Sequence, residues 1–379
     1  MTPTARAATA RAAADALTSR RAEALSLRAV AGFDAMVDSI VRAVDTRTGP
    51  DAFTPMARIE QFASRIGAAA GKSINIELAV ERVKIGGNGV LMADGLATLG
   101  LPVAFIGNIA SEAGGVHPLF ARFASRCASA HPTSPPGATD ACEFADGKVM
   151  LGKTAPLKEV TWASVLAAAG GEPALTAMLD GAALFVPVSW TMLPHLNEIW
   201  LGVLRGPFAS IPRERRPWVF VDLADPAKRT DEELRSAIPI LRDLAASTPL
   251  CLGLNLAESQ RMARTIAAPA SDTLPEAARA LRAALGFACV VVHRREGAAA
   301  ATENESAEFA GPFTRTPRMS TGAGDNFNAG FALGWRLGLP LAQALAVGCA
   351  TSGLYVRKGE ASSLDDVAAF LRELPEPDA

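Results

Sequence analysis

Four short runs in the second half of the chain, residues 183–188, 218–223, 250–255 and 289–293, are apolar almost throughout and are separated by helical patterns. A strand that faces water on one side alternates polar and apolar residues, whereas a strand covered on both faces does not need to. Strands of this kind alternating with helices build a largely parallel sheet with helices on both sides. The first half adds to the pattern. Residues 27–33 form a strand ending near Gly32, residues 38–44 a second, residues 74–85 a third and residues 103–107 a short buried one. Residues 141–144 and 148–151 form a hairpin across Ala145, Asp146 and Gly147. Helical patterns cover residues 55–70, with Met56, Ile59, Phe62, Ala63 and Ile66 on one side, and residues 90–99, where Gly100 stops the turn. Residues 131–137 hold three prolines and form a loop. The last helix opens with the capping pattern Ser363-Leu364-Asp365-Asp366.

A chain of 379 residues with 49% hydrophobic residues can bury a large core, and its length suits one α/β domain with an appendage. The net charge of −2 offers no electrostatic footprint for nucleic acid, and 6% aromatic residues with one tyrosine give no stacking platform. No apolar run is long enough to span a membrane. The five cysteines are scattered without a Cys-x-x-Cys pair, as expected of buried thiols in a reducing, cytoplasmic setting. The four histidines are equally dispersed. Residues 1–27 are rich in Ala and Arg. Asp15 and Glu23 interrupt the positive run, so a helical extension fits better than a targeting peptide.

The run Ser320-Thr321-Gly322-Ala323-Gly324-Asp325 carries the clearest chemistry. Three small residues precede a carboxylate, and Phe327, Phe331 and Trp335 then follow at helical spacing. Backbone N–H groups at a helix N-terminus attract an anion, and glycine lets it come close. A carboxylate beside such a site makes sense if it removes a proton from a hydroxyl that attacks a phosphate. A tight turn followed by an ordinary acidic first helical turn would give the same local pattern.

This segment resembles the C-terminal signature of the ribokinase/PfkB family of carbohydrate kinases. The resemblance extends from about residue 29 to 374. It implies an α/β, ribokinase-like three-layer sandwich with a mostly parallel central sheet and a small β lid. The kinase domain would cover residues 28–379 and the lid segments about 38–48, 74–84 and 141–151. It also implies that Asp325 is the catalytic base and that Gly322, Ala323 and Gly324 form the anion hole. Gly86-Gly87-Asn88-Gly89, between a strand and a helix, stands where the family lines its sugar pocket. Asp38 stands near the family's sugar-binding Asp, with Asp34 as the rival, and Asp38 is preferred. A carboxylate can accept hydrogen bonds from two adjacent hydroxyls.

Asn255-Leu256-Ala257-Glu258 is similar to the family's Asn-x-x-Glu motif, which implies that Asn255 and Glu258 position phosphate and magnesium, Glu258 through water. The same spacing is a helix cap with an acidic third residue. Gly297 and Gly348 are the matches for the nucleotide border. Three departures accompany these matches. Leu91 stands where many members carry Asn, His293 lies where a Thr-x-Gly is usual, and Met319 replaces an Asp that helps hold a monovalent cation, so potassium is not implied. Residues 67–73 resemble a Walker A loop but have three residues between the glycines where four are needed, and they follow a helix. Ser111-Glu112 is given no role beyond a pocket edge.

The expected activity is transfer of a phosphoryl group from a nucleotide, ATP by preference, to a hydroxymethyl group of a sugar, polyol or nucleoside, with magnesium. Residues 86–93 and 291–294 also resemble ADP-dependent sugar kinases, which keeps ADP open as donor. A non-catalytic sugar- or nucleotide-binding regulator on the same fold is the reading of a different class. A homodimer through the lid is expected from the family.

Overall fold

Strand β1 (Ala29–Phe33) lies inside the molecule, with all five residues buried. The computed structural model describes residues 2–378. The remaining strands in chain order are β2 (Met36–Arg47), β3 (Phe53–Pro55), β4 (Leu78–Gly86), β5 (Val103–Gly107), β6 (Ser129–Pro132), β7 (Gly137–Phe144) and β8 (Gly147–Lys153). They continue with β9 (Leu184–Pro187), β10 (Trp218–Asp222), β11 (Leu250–Asn255), β12 (Cys289–Arg294), β13 (Gly297–Ala301) and β14 (Ser306–Ala310). The main sheet has the order β14-β13-β12-β11-β10-β9-β1-β5-β6. From β12 through β6 neighbouring strands run parallel, and β13 and β14 are antiparallel.

Helices cover both faces. One core holds Leu96, Phe105, Phe331 and Leu345; the other holds Phe185, Trp200, Leu241 and Leu281. Two helix-on-sheet interfaces require strands that are apolar throughout, which is why those runs could be read from the sequence. Phe331 is fully buried. Truncating it to Ala would cost about 3–5 kcal/mol.

The chain moves outward from β1 to β5 and β6, then returns to the other side of β1 with β9. Strand order therefore reverses between β1 and β9. The crevice beyond the strand C-termini at such a reversal is where α/β sheets bind ligands. Asp34, Ser189, Asp222, Asn255 and His293 lie at those C-terminal ends.

A second sheet of five strands stands over that crevice, with β2 central. It pairs antiparallel with β3 and β4 and parallel with β7, which pairs with β8. Val41, Ala43, Phe62, Cys142 and Phe144 form its own small core.

Several local readings change. The helix expected over residues 55–70 is confined to Ile59–Gly67, and Phe53–Pro55 is strand β3. The loop at residues 131–137 begins inside β6, which pairs parallel with β5. The hairpin β13–β14 was not anticipated. Its Gly-Ala-Ala-Ala-Ala segment has helical propensity, but every residue is buried and pairs across to β12 and β14. Tertiary pairing overrides propensity there. The N-terminal extension forms helices Pro3–Ser19 and Arg21–Ser26, whose Ala10, Ala13, Ala14 and Leu17 join the main core. Residues 67–73 form the end of a helix and a turn, as the Walker A comparison required. Among the described residues no helix is long and apolar enough to cross a membrane.

Candidate active site

The helix Ala323–Arg336 starts at the loop singled out in the sequence. Its N-cap is Gly322, with φ of 95°. A Cβ there would lie 2.6 Å from the Tyr355 hydroxyl. That hydroxyl donates to the Thr321 carbonyl at 2.7 Å and pins the loop. The first amides of a helix have no intrahelical partner. The Ala323 amide turns back to the Ser320 carbonyl at 3.3 Å, and of the Gly322-Ala323-Gly324 run Ala323 and Gly324 line the cleft described below.

Asp325 follows at once and is 8% exposed. Asn88 Nδ2 donates to its Oδ1 at 3.0 Å, which joins the turn after β4 to the helix. Burial pushes the Asp325 carboxyl well above the usual range, and repulsion from Asp222 and Asp34 adds to that. The Asn88 hydrogen bond and the Lys84 charge oppose the rise.

The two candidate sugar acids differ in how their oxygens are used. Asp34 Oδ1 accepts from the Gly89 amide at 2.7 Å, and Oδ2 from the Asn88 amide at 3.0 Å. It therefore caps the helix Asn88–Thr98 and fixes the turn. Burial raises its pKa to about 6 against those bonds. Asp38 lies on β2, opposite Lys84 on β4. Its Oδ2 is 3.9 Å from Lys84 Nζ, and the Thr139 hydroxyl donates to it. Gly86 is required beside it, since a Cβ would fall 2.2 Å from Asp38 Oδ2. Gly87 adopts φ of 95°, which lets the Asp34-capped turn form.

A cleft of about 770 Å³ opens next to these residues. Asn255, His293, Gly297, Ala323, Gly324 and Lys148 are among its walls. On this helix Ala323, Gly324 and Phe327 line the cleft, and Asp325, bonded to Asn88, is not among its walls. The second sheet is seated on the anion loop: Lys148 Nζ on β8 donates to Ser320 Oγ at 3.2 Å and to Thr321 Oγ1 at 2.9 Å. Burial lowers the His293 pKa to about 4, so its ring is neutral at physiological pH. Gly348 does not reach the cleft, because it packs against Phe327. Cys349, Ser352 and Gly353 on the same helix face the cleft instead.

Asn255 and Glu258 form a reciprocal cap: Asn255 Oδ1 accepts from the Glu258 amide at 2.9 Å, and Glu258 Oε2 from the Asn255 amide at 2.8 Å. Glu258 is also one of three neighbouring acids. Burial, then Asp222 and Asp225, raise its pKa to about 8. Asp222 is buried and accepts from Asn328 Nδ2 at 2.7 Å, while Asn328 Oδ1 has no partner. Among the described residues no three acidic, His or Cys side chains converge as direct metal ligands. Mutually repelling carboxylates near a phosphate cleft suit a magnesium ion that keeps most of its water.

Sequence reasoning missed Asp222, Lys84 and Lys148. Asp222 was open to discovery, as an acid inside an otherwise apolar strand. Lys84 and Lys148 carried no local signal, because only strand pairing brings them to the site.

The family model for prokaryotic ketohexokinase matches residues 6–374. A ketohexokinase of Haloferax volcanii is 28% identical over 347 residues, 90% of either chain. Two solved structures show the fold. Arabidopsis thaliana ribokinase, complexed with ribose and ATP, is 17% identical with a TM-score of 0.61, covering 92% of this chain and 98% of that one. An E. coli protein assigned as ribokinase II, in complex with ATP and Mg2+, is 15% identical with a TM-score of 0.61, covering 92% and 99%.

Proposed function

On the premise that the chain belongs to the prokaryotic ketohexokinase family and is a carbohydrate kinase of ribokinase fold, we propose that it transfers the terminal phosphoryl group of ATP to a hydroxymethyl group of a ketohexose. The observation that carries the reading is the meeting of Asp325, Asn88 and the Gly324 amide beside a nucleotide-sized cleft.

ATP occupies the cleft with its γ-phosphate at the Gly324 amide, where the helix N-terminus favours negative charge. Asn255 and Gly297 border the nucleotide. The sugar lies under the second sheet, which serves as a lid, against Asp38 and the turn of Gly86, Gly87 and Asn88. Asp325 takes the proton from the hydroxymethyl oxygen as that oxygen bonds to the γ-phosphorus. The bond to the β–γ bridging oxygen breaks, and ADP leaves. Magnesium, when bound near Glu258 and Asp222 through its waters, would neutralise phosphate charge. Alignment and electrostatics supply most of the catalysis in such a transfer. Lys148, which bridges the lid and the anion loop, adds a cation at the phosphoryl group.

ATP is favoured over ADP as donor because the Arabidopsis and E. coli structures of this fold hold ATP. Exposed Val80, Val83, Met150 and Leu151 on the second sheet favour pairing with a second copy. The test is an assay of the purified protein with magnesium, D-fructose, aldoses and nucleosides, and either ATP or ADP, read by phosphorus NMR. A fructose monophosphate formed from ATP is expected. Absence of phosphorylated product across the panel would contradict the proposal and favour a ligand-binding regulator.

A further inference from the structure

Lys84 is a lysine whose ammonium has been withdrawn from water without being given a hydrogen bond. Its side chain is 14% exposed, and its Nζ is buried without a hydrogen bond. The nearest carboxylate oxygen, Asp38 Oδ2, is 3.9 Å away. That is an ion pair, but it is too long for a hydrogen bond. A buried donor left without an acceptor is unfavourable, the more so when charged, and an oxygen entering beside Asp38 would supply the missing acceptor.

The strand register explains how the gap arises. Asp38 pairs with Lys84 and Met36 with Gly86, so both charged side chains lie on the face that Gly86 leaves free of a side chain, and the Asp38 carboxylate fills the place a Cβ would take there. That face looks toward Asp325, close enough for the Lys84 charge to act on it.

We infer that Lys84 is a sugar-binding residue, and that with Asp38 it holds one hydroxyl of an uncharged sugar between them. The hydroxyl donates to Asp38 and accepts from Lys84. A bridging oxygen about 2.8 Å from each atom fits the separation observed. The two charges cancel, so the pair suits a neutral polyol. A phosphate already on the sugar would meet the Asp38 carboxylate in a buried setting and be repelled. The inference rests on the sugar-kinase reading above and narrows its acceptor to an unphosphorylated sugar.

The experiment uses the full chain and D-fructose as the probe. Fructose binding is measured by calorimetry on the wild type, Lys84→Met, Asp38→Asn and the double variant, alongside KM for fructose and for ATP. Lys84→Met is expected to weaken fructose binding about tenfold or more, the scale of one lost hydrogen bond to a charged group. KM for ATP should stay within about threefold, a split that a general loss of structure would not give. The double variant should lose less than the sum of the single losses, because both groups hold the same hydroxyl. Fructose 1-phosphate and fructose 6-phosphate should bind the wild type at least about tenfold more weakly than fructose. Should Lys84→Met not fold, Lys84→Gln, one bond shorter, carries the test with the same expected loss. Unchanged fructose affinity in a folded Lys84 variant overturns the inference alone. Fructose binding by the wild type without any phosphorylated product overturns the kinase reading and leaves the binding arm to decide on Lys84. A wild type that binds no sugar overturns both.

Discussion

Asn88 Nδ2 donates to Asp325 Oδ1 at 3.0 Å, although the two residues are separated by 237 positions in the chain. The bond joins the turn that follows the second sheet to the helix that carries Asp325. It also stabilises the charged form of Asp325, against burial and the nearby Asp222 and Asp34. A base works when deprotonated, so activity falls as pH drops through its pKa. Asn88→Ala removes one of the two influences holding that pKa down. The acidic limb of the kcat profile is expected to move to higher pH, which steady-state assays between pH 5 and 9 would read. An unmoved limb would separate Asn88 from the ionisation of Asp325.

Gly86 leaves the space that Asp38 occupies. Gly86→Ala places a methyl group 2.2 Å from the present position of Asp38 Oδ2, and the carboxylate has to move. KM for the sugar should rise about tenfold or more, the scale of one lost hydrogen bond to a charged group. KM for ATP should change little, because Gly86 is not among the residues that line the cleft. Equal changes in both constants would contradict this assignment.

Buried acids make the ligand-free protein sensitive to alkali. The pKa of Glu258 is raised to about 8 and that of Asp34 to about 6, against about 4 for an exposed carboxyl. Between those values the folded state binds more protons than the unfolded state, so stability from these groups declines as pH rises. Glu258→Gln keeps an oxygen for the Asn255 amide and removes one titration. Its Tm should fall less than that of the wild type between pH 5 and pH 8, by differential scanning fluorimetry. Parallel curves would place the pH dependence elsewhere.

The main sheet was legible because it is buried on both faces. Strands such as β11 and β12 are apolar up to the polar residues at their C-terminal ends, and short apolar runs between helical patterns read as buried strands. The anion loop was legible because glycines, an acid and a helix repeat occur together. Less visible were features created by pairing alone. The hairpin β13–β14 has an alanine strand whose identity depends on its neighbours. Asp34 and Asp38 are both acids beside the same turn, and only the hydrogen bonds from Asn88 and Gly89 show which one is occupied as a cap. Gly348 lies on the expected helix against Phe327, beside Cys349, which lines the cleft, a placement that residue type alone does not reveal.

The central claim is that Asp325 accepts the proton from the sugar. Asp325→Asn preserves shape and the acceptor oxygen while removing basicity. Single-turnover transfer from ATP to D-fructose should slow by about 10³-fold or more, with ATP affinity equal or tighter and Tm unchanged or higher, because a buried charge has been removed. Transfer in that variant at a rate close to wild type would show that another group takes the proton.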